Sequence, residues 1–435
     1  MGLGGDEPRA RRRPRHRLRP PGPARQRRRS APRGGAGAIT GANGLRDRAC
    51  VVGIGRSAYA KRGGLAHEGT LRLALRAIGA ACADAGLDPK EIDGFSSYSD
   101  DDAAPSALSM ALGTQRIRYA GMVWGGGGAG MGGAFANAAM AVATGVAETV
   151  VVLRSISQGE LRFGQSLAGR GPTRLPAPFG YALPFGLMSP AQMFALPARR
   201  HMHVYGTTID HFAEVAVSGR RNAATNPDAL FRDELTVDDH HNSRMISDPL
   251  RLYDCCMEAD GAAAVILTAP ERARDLRQPP VYVMGASMAG GYRWGEGILS
   301  GHNMPAVDYP TAGQRSTAEE VYRQAGVGPA DVDVALIYDH FTPMVLMGLE
   351  DFGFCARGES GPFVADGNIR REGSLPVNTH GGNLSEVYLH GMTHVLEAVR
   401  QLRGTAANQI EDAAIALVVA GAGPTPTGSI LFRRS

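Results

Sequence analysis

The sequence has no long apolar run: nowhere do about 18 apolar residues follow one another without interruption, which excludes a membrane-spanning helix. It has only five cysteines, and their spacing fits neither a disulfide framework nor a zinc site. This cysteine usage is typical of a reducing compartment, so we expect a cytoplasmic protein. Lysine occurs only at positions 61 and 90, so almost all basic side chains are arginines.

Positive charge is concentrated at the start of the chain. Twelve arginines lie between Arg9 and Arg33, whereas the whole chain has a net charge of only +4, so the remainder is mildly acidic. Residues 1–46 form an Arg/Pro-rich tail that we predict to be disordered, because it cannot bury enough apolar surface to offset its ordering entropy. A nucleic-acid-binding arm is one interpretation. Sequence upstream of the true gene start is the interpretation that we favour, and we expect no nucleic-acid partner.

Strand and helix patterns alternate along the rest of the chain in two series, of which the first begins near Ala49 and the second near Val281. Alternation of this kind is typical of a layered α/β fold, and its recurrence predicts a duplicated unit. We therefore predict an N-terminal half at residues 47–275, with a loop insertion at about 158–255, and a C-terminal half at 276–435. In the C-terminal half, the apolar spacing predicts a long helix at residues 387–402.

A glycine-rich turn connects the strand predicted at residues 117–123 to a helix of small residues. Residues 124–133 read Trp-Gly-Gly-Gly-Gly-Ala-Gly-Met-Gly-Gly. Glycines at the start of a helix let backbone N–H groups approach an anion or an enolate oxygen, although close helix packing explains them equally well. The turn contains no Cys, Ser or Thr. The turn therefore indicates a site that binds a ligand through backbone N–H groups and that supplies no nucleophilic side chain.

Two polar clusters predict a ligand site. Tyr338-Asp339-His340 directly follows a buried strand, and the carboxyl ends of strands are where α/β sheets place ligands. The second cluster spans residues 378–391 around a glycine pair, Gly381-Gly382. By contrast, we interpret the acidic run at 100–102 as a solvated loop and expect no metal site, because adjacent residues rarely converge on one ion.

Taken in order, these motifs resemble the thiolase superfamily over residues 48–435. Further signatures of the superfamily lie at residues 87–94, 143–148 and 256–264. Within the superfamily the chain is most similar to the sterol-carrier or lipid-transfer-protein branch, and its YDHFTP, NTHGG and YLHGM stretches resemble actinobacterial steroid side-chain-cleaving aldolases. The resemblance implies a duplicated thiolase fold, with two βαβαβαββ halves layered α-β-α-β-α.

The chain departs from thiolases where their covalent chemistry takes place. A thiolase needs a nucleophilic cysteine in the glycine-rich turn, and residues 115–141 contain none. The second thiolase cysteine is also absent near residues 420–423. Tyr338 and Tyr388 stand where the sterol-carrier branch has histidines. The chain therefore lacks the cysteines and histidines that covalent thioester exchange requires. What the resemblance leaves is a scaffold that binds acyl-CoA and carries two tyrosines at the site.

The steroid aldolases of this branch cleave a β-hydroxyacyl-CoA, of the steroid 17-hydroxy-20-carboxyl-CoA type, to a ring ketone and propionyl-CoA. The resemblance implies that Tyr338 and Tyr388 form the acid–base pair here. Because the reference pKa of tyrosine is about 10, a phenolate base at neutral pH would need about 4 kcal/mol of stabilisation, a demand that concerted proton transfer would ease. The resemblance also implies a set of supporting residues, which are Asp339, His340, His390, Asn383, Gly381 and Gly382. The oxyanion donors that it implies are the amides of Gly127, Gly128 and Gly130 together with Asn383.

The resemblance also bears on cofactors and assembly. It implies no cofactor, since the CoA thioester is the substrate, and it implies a homodimer at the core of a heterotetramer with a small OB-fold protein of the DUF35 family. Two other functions stay open at this point. One is a non-catalytic acyl-CoA or sterol carrier, which needs neither tyrosine, and the other is a thiolase-like acyltransferase.

Overall fold

The computed structural model describes residues 44–99, 101–124, 127–159, 180, 182–291, 308–421, 423 and 426–435. Apart from residues 44–46, the tail predicted to be disordered lies outside the described residues, and so does the part of the loop insertion at 160–179. The predicted boundaries of the tail, the two halves and the insertion stay predictions.

Strands and helices alternate over most of the described chain. The strands are β1 (Cys50–Arg56), β2 (Ala60–Lys61), β3 (Gly94–Tyr98), β4 (Tyr119–Val123), β5 (Thr149–Ile156), β6 (Met245–Ser247), β7 (Leu250–Arg251), β8 (Ala259–Thr268), β9 (Val281–Ala289), β10 (Val334–Ile337), β11 (Ile415–Ala420) and β12 (Thr427–Arg433). The α-helices are α1 (Gly69–Ala85), α2 (Pro105–Leu112), α3 (Met131–Ala143), α4 (Pro190–Tyr205), α5 (Ile209–Ala224), α6 (Val237–Asn242), α7 (Pro270–Ala273), α8 (Arg315–Ala325), α9 (Thr342–Asp351), α10 (Ser360–Ala365), α11 (Gly382–Ser385) and α12 (Met392–Arg403). No helix among the described residues is both long and apolar enough to cross a membrane.

The main sheet contains an internal repeat. Its strand order is β10-β11-β12-β9-β1-β8-β5-β3-β4. The succession β1-β8-β5-β3 is joined by two antiparallel pairings and then a parallel one, and β9-β12-β11-β10 is joined in the same way. The two series meet where Cys50 and Val51 of β1 pair with Tyr282 and Val281 of β9. The predicted duplicated α/β fold is confirmed.

Three apolar clusters separate five layers. Because successive side chains of a strand point to opposite faces, Val51 of β1 enters the middle cluster, whereas Cys50 and Val52 enter an outer cluster with α1. The middle cluster holds α3 and α12 between the inner faces of both strand series. On the far side, α8 and α9 cover the outer face of the second series. This is the α-β-α-β-α layering that the resemblance implied.

One predicted helix begins later than expected, and the difference shapes the site. The helical pattern at residues 387–402 predicted a helix that includes Tyr388, but α12 begins only at Met392. His390 and Gly391 have φ angles of +50° and +81°. A right-handed helix cannot include this left-handed conformation. Tyr388 therefore lies in the loop before α12.

Candidate active site

Strand β10 brings Tyr338 into the interior. All four residues of β10 are buried and apolar, and the strand pairs in parallel with β11. The backbone N–H of Tyr338 extends this pairing, donating to the carbonyl of Val419 at 3.2 Å. The tyrosine side chain is only 2% exposed. It therefore lies at the carboxyl end of the sheet, where loops from several elements can reach it.

The structure brings Tyr338 and Tyr388 together. The hydroxyl of Tyr338 donates to the hydroxyl of Tyr388 at 3.1 Å, and the two ring centroids are 6.4 Å apart. The N–H of Gly128 donates to the Tyr338 hydroxyl at 3.2 Å. The glycine-rich turn and both polar clusters therefore form one site. The acid–base roles of the two tyrosines stay a prediction.

The surroundings keep both phenols protonated. Burial raises the pKa of Tyr338 and of Tyr388 well above the usual value, and the neighbouring phenol raises that of Tyr338 further. The hydrogen bond from the Gly128 amide lowers the pKa of Tyr338, but it is outweighed by burial. Both side chains are neutral phenols at neutral pH, so neither is available as a phenolate base.

Three glycines leave room for the Tyr338 ring and the two hydroxyls. A Cβ atom on Gly128 would lie 2.3 Å from Cε2 of Tyr338, and one on Gly391 would lie 2.9 Å from Cδ2. Gly127 has a φ of +55°, and its Cβ position is 3.5 Å from the Tyr338 hydroxyl and 3.7 Å from that of Tyr388. Gly128 and Gly391 are therefore required by the close approach of the Tyr338 ring, and Gly127 by its left-handed backbone conformation. Gly130, by contrast, packs against Cβ of Tyr98.

Asp339 anchors the short helix α11 beneath the site. Its carboxylate accepts hydrogen bonds from the backbone N–H groups of Asn383 at 2.8 Å and Leu384 at 3.3 Å, and it lies 3.2 Å from Nε2 of His394. A Cβ on Gly382 would lie only 2.0 Å from this carboxylate. Gly381 has a φ of +107° and packs closely on α5. These residues hold the loop that carries Tyr388.

His340 and Asn383 bring polar atoms to the site that no described residue satisfies. Burial lowers the pKa of His340 to about 3, so its imidazole is neutral, and its ring centroid lies 4.9 Å from that of Tyr338. Its Nδ1 has no hydrogen-bond partner within the described ranges. Both side-chain polar atoms of Asn383 are likewise buried and unpaired there. Unpaired buried polar atoms are costly, and a bound ligand or an ordered water would satisfy them.

Sequence reasoning missed the residues that surround His390. Arg154 of β5 donates from Nε to Nδ1 of His390 at 3.0 Å, and its Nη1 lies 3.1 Å from Asp101. Tyr98 donates to the His390 carbonyl at 3.1 Å. Asp101 was predicted to be solvated, but it is 5% exposed and accepts a hydrogen bond from the N–H of Ser155. An arginine within a buried strand was the signal available in the sequence.

Cys256 was also missed, because it is far in sequence from the glycine-rich turn. Its N–H donates to the carbonyl of His340 at 2.9 Å, and its thiol is close enough to act electrostatically on both tyrosines. Burial raises the pKa of this thiol well above its usual value. A thiol that stays protonated is a poor nucleophile. The site therefore offers proton transfer rather than acyl transfer.

A cavity of about 810 Å³ extends from Cys256. Its walls include apolar side chains such as Phe341 and Leu384. Four basic side chains also line it, those of Lys61, Arg62, Arg220 and Arg244, as do three acidic ones, those of Asp233, Glu234 and Glu258. Arg62 lies 3.1 Å from Glu258. Beside Cys256 the chain therefore has space for a large molecule with both apolar and charged parts.

Comparison with known proteins identifies the family. Residues 299–431 match the family described as Thiolase C-terminal domain-like. The chain is 43% identical over 387 residues to the steroid side-chain-cleaving aldolase of Thermomonospora curvata, covering 88% of this chain and 97% of that protein. It is 42% identical over 394 residues to the 17-hydroxy-3-oxo-4-pregnene-20-carboxyl-CoA lyase of Mycobacterium tuberculosis, covering 89% of this chain and 100% of that protein. The chain belongs to the thiolase-like steroid side-chain-cleaving aldolase family.

A solved structure of this aldolase family agrees. The Ltp2-ChsH2(DUF35) aldolase superposes with a TM-score of 0.81 and 41% sequence identity, covering 90% of this chain and 98% of that one. The family predicted from the order of the motifs is thereby confirmed, as is the thiolase-like fold.

Proposed function

We propose that this protein is a carbon–carbon lyase that cleaves a steroid β-hydroxyacyl-CoA, of the 17-hydroxy-20-carboxyl-CoA type, by a retro-aldol reaction. The observation that carries the proposal is the hydrogen-bonded pair of Tyr338 and Tyr388 on the glycine-rich turn. The two relatives that the chain covers almost completely, an aldolase and a steroid-CoA lyase, support the substrate class.

The proposed reaction moves one proton. The substrate hydroxyl loses its proton, its carbon becomes the ring ketone, and the bond to the α-carbon breaks. The electron pair of that bond forms the enolate of propionyl-CoA, which takes up one proton at the α-carbon. Atoms and charge balance without free CoA, without water and without a covalent intermediate.

Two neutral phenols in contact can carry this proton. One phenol oxygen accepts the hydroxyl proton while it passes its own proton to the second phenol, which protonates the enolate carbon. Neither phenol becomes a phenolate, so this relay is compatible with the raised pKa of Tyr338 and Tyr388. Either tyrosine can face the substrate hydroxyl in this scheme.

The thioester oxygen needs hydrogen-bond donors as negative charge develops on it. The N–H of Gly128 already donates to Tyr338, so it supports the relay and does not serve the thioester oxygen directly. Asn383 has a buried side-chain N–H₂ group without a partner among the described residues. We assign the thioester oxygen to Asn383, together with the amides of Gly127 and Gly130.

The cavity next to Cys256 fits an acyl-CoA. Its apolar walls suit the pantetheine arm and the acyl chain, and Lys61 and Arg244 suit the phosphates. The other two basic side chains have partners in the protein, Arg62 with Glu258 at 3.1 Å and Arg220 with Ser385 at 3.0 Å. We propose that the substrate lies in this cavity, with its thioester at the tyrosine pair. CoA enters as part of the substrate, and the proposed reaction needs no further cofactor.

We propose a homodimer that works with a DUF35 OB-fold partner. Strand β4 is the last strand of the sheet order, and its outer edge is unpaired among the described residues. Beside this edge, Met122 is 49% and Trp124 66% exposed. An exposed apolar edge strand favours pairing with a second copy. The aldolase of similar structure bears DUF35 in its name, so we expect the isolated chain to be poorly soluble or inactive until such a partner is supplied.

The test is a discontinuous assay without free CoA. Protein and partner are incubated with a steroid acyl-CoA that carries the β-hydroxyl, and the products are separated by liquid chromatography and mass spectrometry. We expect equimolar ring ketone and propionyl-CoA. The matched substrate without the hydroxyl should stay intact. Binding of both substrates without cleavage would instead show a carrier, and a requirement for free CoA would show an acyltransferase.

A further inference from the structure

Arg154 and His390 form a hydrogen bond of defined direction. Nε of Arg154 donates to Nδ1 of His390 at 3.0 Å. The guanidinium is itself held in place, since Nη1 lies 3.1 Å from Asp101 and the side chain is only 8% exposed. Asp101 in turn accepts from the N–H groups of Ala103 and Ser155, each at 2.9 Å. The position of Arg154 is therefore fixed from both sides.

The direction of this hydrogen bond determines the protonation state of His390. A guanidinium has only donors, so Nδ1 of the imidazole must be the acceptor and must carry no proton. The ring is then neutral, with its single proton on Nε2. An imidazolium would turn an N–H towards the N–H of Arg154. Consistent with this, burial and the charge of Arg154 keep the pKa of His390 well below its usual value.

The backbone and ring of His390 are both held beside the tyrosine pair. Its carbonyl accepts from Tyr98 at 3.1 Å, and its φ of +50° is adopted in the loop before α12. The ring meets that of Tyr388 almost at right angles, with centroids 5.1 Å apart. No described residue accepts a hydrogen bond from Nε2. An N–H donor is therefore available beside the proposed proton relay.

We propose that Arg154 is a positioning residue of the reaction: it fixes His390 as the neutral tautomer with the proton on Nε2, so that His390 donates a hydrogen bond to a substrate oxygen and cannot act as the base. The oxygen belongs to the β-hydroxyacyl thioester, and this part rests on the proposed function. A neutral histidine whose N–H polarises a carbonyl is an established catalytic device. The assignment leaves the tyrosines as the groups that move the proton.

The tautomer can be measured without substrate. Protein labelled with ¹⁵N in its histidines gives long-range ¹H–¹⁵N spectra, and the signals of His390 are those lost in the His390→Gln variant. Between pH 6 and 8 we expect a protonated Nε2 and an unprotonated Nδ1. Among the described residues, the titratable groups that face the ring are Arg154, His340 and Tyr388, and Tyr98 contacts the backbone carbonyl of His390. A proton on Nδ1, or on both nitrogens, would overturn the proposal whatever the activity.

Kinetics test the donor role. Arg154→Met should lower kcat of cleavage by about 10- to 100-fold, with KM changed by less than about threefold, because the ring can then adopt the wrong tautomer. Burial is the main cause of the lowered pKa of His390 and the charge of Arg154 a further one, so in the variant this pKa should rise towards the usual value of about 6.5 but stay below it. Added guanidinium should restore part of the rate. An unchanged kcat in a folded variant would overturn the donor role.

Two further variants keep the test interpretable. Arg403 is another buried arginine paired with a carboxylate, Asp84 at 2.8 Å, so Arg403→Met controls for the loss of a buried ion pair and should keep wild-type kcat. If Arg154→Met fails to fold because Asp101 is left unpaired, the double variant with Asp101→Asn removes that charge and should show the same loss of kcat. Absence of cleavage by the wild-type protein would refute the proposed function, while the tautomer measurement would still decide the state of His390.

Discussion

Replacing Tyr338 by phenylalanine removes one oxygen atom from the centre of the site. In the structure this oxygen accepts from the N–H of Gly128 at 3.2 Å and donates to Tyr388 at 3.1 Å. The ring itself fits against Gly128 and Gly391. Phenylalanine keeps this packing and removes both hydrogen bonds.

The two losses have different magnitudes. Leaving a buried N–H without a partner costs about 1–3 kcal/mol, which at an unfolding entropy of about 2.1 cal/mol/K per residue lowers the Tm of a chain this long by roughly 1 °C per kcal/mol. Loss of a group that carries the proton lowers turnover by about 10²- to 10⁴-fold. Tyr338→Phe should therefore stay folded and bind acyl-CoA while its cleavage rate falls by at least about a hundredfold.

The assay compares thermal unfolding, acyl-CoA binding and product formation in one set of proteins. Tyr322 provides the matched control, because its hydroxyl donates to the carbonyl of Phe352 at 3.1 Å in a different part of the fold. Tyr322→Phe should lose similar stability and keep wild-type turnover. If folded Tyr338→Phe keeps more than about a third of the wild-type rate, the relay is wrong.

Three further predictions follow from the same geometry. Because burial raises the pKa of both phenols, turnover should show no tyrosine ionisation between pH 6 and 9, and a rising limb centred near pH 7 would indicate a phenolate base. Gly128→Ala should abolish turnover, since its Cβ would lie 2.3 Å from Tyr338. The control is Gly79→Ala, which has open space in α1 and should stabilise the fold by about 0.5–1 kcal/mol. An active Gly128→Ala variant would contradict this packing. Cys256→Ala should keep turnover, and intact-protein mass spectrometry of the wild type during turnover should show no acyl adduct; an adduct on Cys256 would restore the acyltransferase interpretation.

The parts of the fold that depend on local patterns were predictable. The order of strands and helices was predicted from the apolar runs of the strands and from the helix starts after glycine-rich segments. The duplication was predicted from the recurrence of that order. The order of the motifs revealed the resemblance to the family, and that resemblance predicted that Tyr338, Tyr388 and the glycine-rich turn share one site. The helix at Met392 was placed too early, because nothing in the pattern of apolar residues reveals the positive φ angles of His390 and Gly391.

The electrostatics of the site could not be predicted from the sequence. The pKa of a phenol depends on which groups bury it, and those groups come from distant parts of the chain. Asp101 illustrates this, because its place in an acidic run indicated solvent exposure, yet it lies buried against Arg154. Cys256 likewise reaches the tyrosines only through tertiary packing.

The most direct test of the central claim is cleavage in deuterated water without free CoA, followed by mass spectrometry of the propionyl-CoA. A retro-aldol cleavage through an enolate delivers one solvent-derived proton to the α-carbon, so the account predicts one deuterium per propionyl-CoA and one ring ketone per propionyl-CoA. Propionyl-CoA without deuterium, or its formation only when free CoA is added, would contradict the account.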